Sequence, residues 1–253
     1  MTTQTIDLTN CDREAIHLLG KTQEIGAILV LSADWIVLGY SENLLETTDF
    51  HEKNILGKKI TNFFTEDFQK NLQKSISNLR DTDQIEYIFS QFVFNNKKQL
   101  DISVHFSQDH LVFEFEPTVD LGFNPIVPFL QKQIKSISSA ESIEELYKKS
   151  VEHVADVTDF DRIMLYQFKQ DESGEVVAEK KKPEVDKFFG MCFPASNIPK
   201  QARVLYVRNI SRIILDSESK GIKFVPPSLK IDLSMCHLRA VSEIHLEYLR
   251  NMG

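Results

Sequence analysis

Cysteine is scarce in this chain: three residues in 253, Cys11, Cys192 and Cys236. Three cannot all pair, and their spacing fits no zinc motif, so a disulfide-framed secreted scaffold is excluded and a reducing cytosol is the expected home. No apolar run approaches the ~20 residues that span a bilayer, which excludes a membrane protein of the helical kind. The N-terminus, Met1-Thr2-Thr3-Gln4-Thr5-Ile6-Asp7, has neither the basic region nor the apolar stretch of a signal peptide. Net charge is −8 and no basic stripe with interleaved aromatics occurs, so nucleic acid is not the expected partner. The short basic run Lys180-Lys181-Lys182 reads as a solvated turn. Paired carboxylates, a Ser-His-Asp set and a metal cluster are also missing, which argues against an enzyme. What remains is a globular chain, 42% hydrophobic and 26% charged, long enough for about two domains.

Apolar patterning divides that length. Ala27-Ile28-Leu29-Val30-Leu31 and Trp35-Ile36-Val37-Leu38-Gly39-Tyr40 read as strands across a Ser32-Ala33-Asp34 turn. Ser41 is expected to cap a short helix from Glu42 to Thr47. Asp67 to Leu79 is amphipathic, with Phe68, Leu72, Ile76 and Leu79 three and four residues apart. Strands follow at Ile85–Phe94, Leu100–Phe106 and Leu111–Phe115, turning at Asn95-Asn96-Lys97-Lys98 and Gln108-Asp109-His110. That order is the order of a PAS domain. Beyond the break between Pro117 and Pro125, helices are expected at Ile126–Ile137 and Ser142–Val157, the second with a capping box from Ser142 to Glu145. Strands at Asp161–Phe168 and Glu175–Glu179, a helix at Pro199–Asn209, a strand at Arg212–Leu215, a loop over 217–232 and a last helix from Ser242 complete the pattern. It matches the beginning of a GAF domain. The expected fold is therefore α+β, two antiparallel sheets with flanking helices: an N-terminal extension over 1–25, a PAS domain over 26–118 and a GAF domain over 126–253.

Cys11 stands in Thr9-Asn10-Cys11-Asp12-Arg13-Glu14, far ahead of the next cysteine. A thiol in such a terminal segment is a poor core residue and a good tether for a ligand held elsewhere. Two downstream segments accompany it, Phe193-Pro194-Ala195-Ser196-Asn197-Ile198-Pro199 and Ser242-Glu243-Ile244-His245-Leu246-Glu247-Tyr248-Leu249-Arg250-Asn251-Met252-Gly253. With Gly20, Gln23, Gly26 and Ala27, and with the hairpin Asp159–Phe168 and Gly174–Glu179, they resemble the photosensory half of a bacteriophytochrome.

The resemblance implies a red/far-red photoreceptor module that binds the linear tetrapyrrole biliverdin. Cys11 would form a thioether to the A-ring vinyl group; Ile244 occupies the plant-type attachment position, so that bond is unavailable. His245 would face the pyrrole nitrogens, directly or through a water. Arg212 and Arg239 would hold the propionates, with Ser242 close to one of them; a planar guanidinium matches a carboxylate with two parallel bonds. Tyr166, Tyr206 and Tyr248 would shape the D-ring pocket beside Phe193, and Asn197, Ile198 and Pro199 would complete the motif at the ring system. The 217–232 loop would let the N-terminal segment pass through it as a knot. A homodimer through the GAF helices is implied too, although the apolar stripes in 126–157 serve equally as core.

The chain also departs from the family. Asn197 replaces the motif aspartate and cannot make its ionic pair with a later domain. The 217–232 loop is short, and the chain ends before the family's last GAF strands, so the expectation is a GAF domain lacking its C-terminal part, completed by a missing segment or a second chain. The rival to the photoreceptor is a chromophore-less PAS-GAF scaffold for dimerisation or protein contacts. Cys192 and Cys236 are read as small hydrophobes.

Overall fold

The structure, a computed structural model, describes residues 11–77, 79, 83–119 and 126–252. An extended course is expected over residues 1–25; residues 1–10 and the Cys11 side chain lie outside what is described, and the rest includes a 3₁₀ turn, Cys11–Arg13, and the short strand Lys21–Thr22. In chain order the elements are β1 (Lys21–Thr22), β2 (Ala27–Leu31), β3 (Val37–Ser41), α1 (Leu44–Thr48), α2 (Glu66–Ile76), β4 (Glu86–Gln91), β5 (Leu100–Ser107), β6 (His110–Pro117), α3 (Ile126–Ser138), α4 (Ile143–Thr158), β7 (Arg162–Phe168), β8 (Gly174–Lys181), β9 (Cys192–Phe193), α5 (Lys200–Arg208), β10 (Ile222–Val225) and α6 (Glu243–Met252). They form two compact units. One combines Met1–Val119 with Gln201–Gly253, and the other is Asp120–Lys200.

The first unit is built on an antiparallel sheet in the order β1-β10-β3-β2-β6-β5-β4. Its alternation is distributed over two cores. On β2, Ala27, Leu29 and Leu31 enter one cluster with Leu111, Phe113 and Phe115 of β6 and with α1 and α2 through Leu44, Phe68 and Leu72. Ile28 and Val30, on the opposite face, enter a second cluster with Val112, Phe224, Ile231, Leu233, Cys236 and Leu238. Successive strand residues point to opposite faces, so a strand buried throughout needs cover on both, and residues 224–238 supply the second cover. Each fully buried aliphatic or aromatic side chain contributes about 1.5–3 kcal/mol, so this layer is a large part of what holds the unit together.

Several local expectations are corrected by side-chain chemistry. Ser41 does not cap a helix; its hydroxyl accepts from the Ile28 amide at 2.9 Å across the sheet, and α1 begins at Leu44. Arg212–Leu215 is not a strand. Its backbone is engaged by a glutamine instead, with Gln23 Nε2 donating to the Ile213 carbonyl at 2.8 Å and Gln23 Oε1 accepting from Leu215 N at 3.2 Å. The 217–232 segment is not all loop, because β10 enters the first sheet between β1 and β3. β4 stops at Gln91 rather than Phe94, where Ser90 takes a positive φ and the register with β5 shifts.

The second unit has the sheet β7-β8-β9. Ser142 accepts from Glu145 N at 3.1 Å and starts α4 as expected, satisfying one of the orphan amides of the helix N-terminus. One face of β8 is buried through Gly174, Val176 and Ala178 while the alternate residues are partly open. Val151 of α4, Ile163 and Ala178 make its small core.

Candidate functional site

The site residues expected from the sequence divide between the two units. In the first, Gln23 fixes the segment carrying Arg212, and Arg212 Nη2 donates to the carbonyls of Arg239 and Ala240, both at 2.9 Å. Arg239 is buried and donates from Nη1 to the Ile16 carbonyl. The Nε atoms of both arginines are buried without a hydrogen-bond partner among the described residues. Burial, followed by the charge of Arg212, lowers the Arg239 pKa to about 10, and burial lowers that of Arg212 as well. Two guanidinium groups thus sit side by side, partly stripped of water.

Ser242 and His245 stand at the start of α6. The Ser242 hydroxyl donates to the Glu14 carboxylate and lies 3.4 Å from the His245 amide. The His245 ring is open at its surface yet crowded below it; this desolvation, then the charges of Arg212 and Arg239, hold its pKa beneath the ordinary histidine value. Tyr206 on α5 is half exposed, and its hydroxyl is near enough to favour the charged form of both arginines. Tyr248, three residues beyond His245 on α6, is half-buried. Arg212, Arg239, Ser242 and His245 are therefore brought together. Sequence reasoning gave no role to Glu14 and Gln23, which hold Ser242 and the Arg212 segment; the available signal was their place in the family-like N-terminal stretch.

In the second unit, Tyr166 lies between Phe168, edge-on at 5.2 Å, and Phe193, tilted at 6.1 Å. Gly174 faces the Tyr166 ring so closely that a Cβ there would stand 2.1 Å from it. Asn197 ends a 3₁₀ turn from Ala195 and its amide bonds the Pro194 carbonyl at 3.0 Å. Ile198 follows in extended conformation, and Ile198 and Pro199 are partly buried. The backbone of Cys11 opens a 3₁₀ turn, Cys11–Arg13.

A family model described as PAS fold matches residues 11–118. The crystal structure of the chromophore-binding domain of Stigmatella aurantiaca bacteriophytochrome matches with a TM-score of 0.81 and 32% identity, over 96% of this chain and 83% of that one. Cyanobacterial phytochrome A from a Nostoc species is 30% identical over 99% of this chain and 34% of its own length. The Pseudomonas aeruginosa bacteriophytochrome is 31% identical over 98% and 34%. The chain spans about a third of the length of these curated relatives. No described helix is long and apolar enough to cross a membrane. With a solved relative matched along most of both chains, this chain belongs to the phytochrome family, in the part represented by bacteriophytochrome chromophore-binding domains.

Proposed function

We propose that the chain is a light-sensing module that holds biliverdin through Cys11. The observation that carries this reading is the pair Arg212 and Arg239. Neither forms an ion pair with a carboxylate among the described residues, and each keeps a buried Nε without a partner. Burying a charge without a counter-charge is costly. A ligand with two carboxylates removes that cost, and biliverdin carries two propionates. When bound, the bilin supplies the light absorption and the isomerisation of the methine bridge between rings C and D.

The protein's own residues do the rest. Arg212 and Arg239 anchor the propionates, and Ser242 adds a hydroxyl beside them. His245, largely neutral at pH 7, offers a ring nitrogen that can accept or donate at the pyrrole nitrogens. Tyr206 and Tyr248 supply aromatic surface beside these residues. The Cys11 thiolate adds to the A-ring vinyl group, so attachment quickens as pH rises towards the ordinary cysteine value of ~8.5. The module is a receptor without chemistry of its own beyond that bond. Exposed Leu130, Ile134 and Ile143 on α3 and at the start of α4 fit a homodimer seam.

The test is purification with biliverdin. Wild type is expected to absorb red light and to keep the pigment on a denaturing gel. Cys11→Ser is expected to lose the covalent band but retain part of the absorbance, because the anchoring residues remain. Absence of any absorbance in folded protein supplied with excess biliverdin would replace this reading with that of a chromophore-less scaffold.

A further inference from the structure

The second cover of the first sheet buries a polar group of a different kind. His105 on β5 and Glu114 on β6 point to the face opposite Val104 and Phe113, and Cys236 of the covering segment meets them there. All three are essentially inaccessible, at 0%, 1% and 0% exposure. One donor atom from each, an imidazole nitrogen, a carboxylate oxygen and the sulfur, lies within 4.8 Å of the other two. They come from three separate segments, so no sequence spacing could have shown them.

We propose that His105, Glu114 and Cys236 form a binding site for one thiophilic divalent cation of the zinc class. The first support is distance. Zinc holds a thiolate at about 2.3 Å and an imidazole at about 2.0–2.1 Å, and tetrahedral angles then separate sulfur from nitrogen by about 3.5 Å. The Cys236 Sγ to His105 Nε2 distance is 3.6 Å. The second is charge. The Cys236 thiolate, Glu114 and Glu116, less the positive charge of His237 between the two carboxylates, leave two negative charges, which a divalent ion neutralises. Binding would release the Cys236 thiol proton to solvent as the metal–sulfur bond forms.

The third support is the condition of Glu114. Its Oε1 accepts from Ser103 Oγ at 3.0 Å and from His237 N at 3.3 Å, and lies 3.1 Å from His237 Nδ1, whereas Oε2 accepts only from Leu238 N at 2.7 Å among the described residues. A carboxylate oxygen accepts two bonds, so Oε2 has a lone pair to give. The neighbouring imidazole does not depend on Glu114 alone, because His237 Nε2 lies 2.6 Å from Glu116 Oε1. The cation would tie β5 and β6 to the segment that runs directly into Arg239.

The experiment uses the full chain, tag-free, with Cys11→Ser and Cys192→Ser so that Cys236 is the one thiol left. The protein is refolded from denaturant with chelator or with one equivalent of cobalt(II) or zinc. The expected result is one metal per chain by elemental analysis, a raised Tm, and a sulfur-to-cobalt charge-transfer band that Cys236→Ala removes. X-ray absorption should show one sulfur neighbour at about 2.3 Å for zinc, a readout that needs no further variant. A folded protein that takes up no metal overturns the proposal and leaves a thiol–imidazole hydrogen bond in its place. A shell of nitrogen and oxygen alone, or a cobalt spectrum unchanged in folded Cys236→Ala, overturns it too.

Discussion

The two units use their sheets differently. In the first, β2 is buried along its whole length, with hydrophobic clusters on both faces. In the second, β8 alternates between buried and partly open residues, and the central cluster is Val151, Ile163 and Ala178. Ile134, Val157 and Phe160 remain largely exposed around it. Each unit also buries a carboxylate, since Glu179 of the second faces Arg162 and accepts from the amides of Phe188 and Phe189. Glu114 lies inside the first unit, held by Ser103, His237 and Leu238. The ion pair Glu145–Lys149 of the second lies on the outside of α4. A doubly covered sheet can surround a carboxylate with several fixed partners; a singly covered one leaves apolar side chains open to meet something else.

Glu114→Ala is expected to be the most damaging change. It removes the acceptor for three donors and strands His237 beside Glu116 alone. Breaking a buried pair costs about 3–5 kcal/mol, and denaturant unfolding of the metal-free protein should show a loss of that size. Glu145→Ala, which removes a surface ion pair and the bond from the Glu141 amide, should shift the same curve far less. If the two lose equally, the contrast between buried and surface electrostatics fails. Leu29→Ala comes next, at about 2–5 kcal/mol for an emptied core position, and Ile163→Ala, in the smaller and less enclosed cluster, should cost less. Equal losses would mean that the second unit is packed as tightly as the first.

Gly174→Ala probes the second unit from the opposite direction. Its Cβ would overlap the Tyr166 ring, and overpacking of this kind costs about 1–3 kcal/mol. The Tyr166 ring must leave its place between Phe168 and Phe193, so the near-UV circular dichroism should change while the fold persists. A near-UV spectrum identical to wild type would mean that the sheet absorbs the extra methyl group without moving the ring.

A pH series sharpens the comparison further. Burial opposes the charge on His237, but the hydrogen bonds and charges of Glu114 and Glu116 outweigh it and push the pKa up to about 10. Burial would raise Glu114, yet His237 holds it below the ordinary carboxylate value. A raised histidine contributes stability fully below its unfolded value of ~6.5 and loses it as pH climbs through the folded one. A lowered carboxylate contributes above its unfolded value of ~4.3 and loses it on acidification. Chelated protein should therefore be most stable between these limits and weaken steadily from pH 6.5 to about 10. His237→Gln should flatten the alkaline side. An unchanged slope in that variant would assign the loss to other groups.

Much of the first sheet was legible because its strands are apolar or strictly alternating: Ala27–Leu31 emerges with the expected ends, and Leu100, Ile102 and Val104 share a face. Alternation identified the inner face and said nothing of what lies on the outer one. Ser103, His105 and Glu114 alternate with the apolar positions, and a segment more than a hundred residues away covers them. For the same reason β10 was missed: a four-residue strand gains its partners from β1 and β3, not from its neighbours in sequence. Arg212, Arg239, Ser242 and His245 were legible through family resemblance rather than periodicity, since a charged residue on an irregular segment carries no pattern of its own.

Asn197→Asp is expected to have the smallest effect. The turn that carries Asn197 is set by its backbone, through the bond from its amide to the Pro194 carbonyl and the extended Ile198 that follows. Aspartate is nearly the same shape and leaves both unchanged, and Asn197 is only partly buried. Substitutions that disturb no such feature stay within about 0.5 kcal/mol, so the melting temperature should not move. Bilin uptake should not move either, because the residue's backbone carbonyl is unaltered. The carboxylate gains a use only where a basic partner reaches it. The expected outcome is therefore identical spectra before illumination for wild type and variant, and a difference after illumination only when the chain is extended by a further domain that presents an arginine. A large dark-state shift in the short chain would mean that the Asn197 side chain itself touches the pigment, and would move this position from the border of the site into its centre.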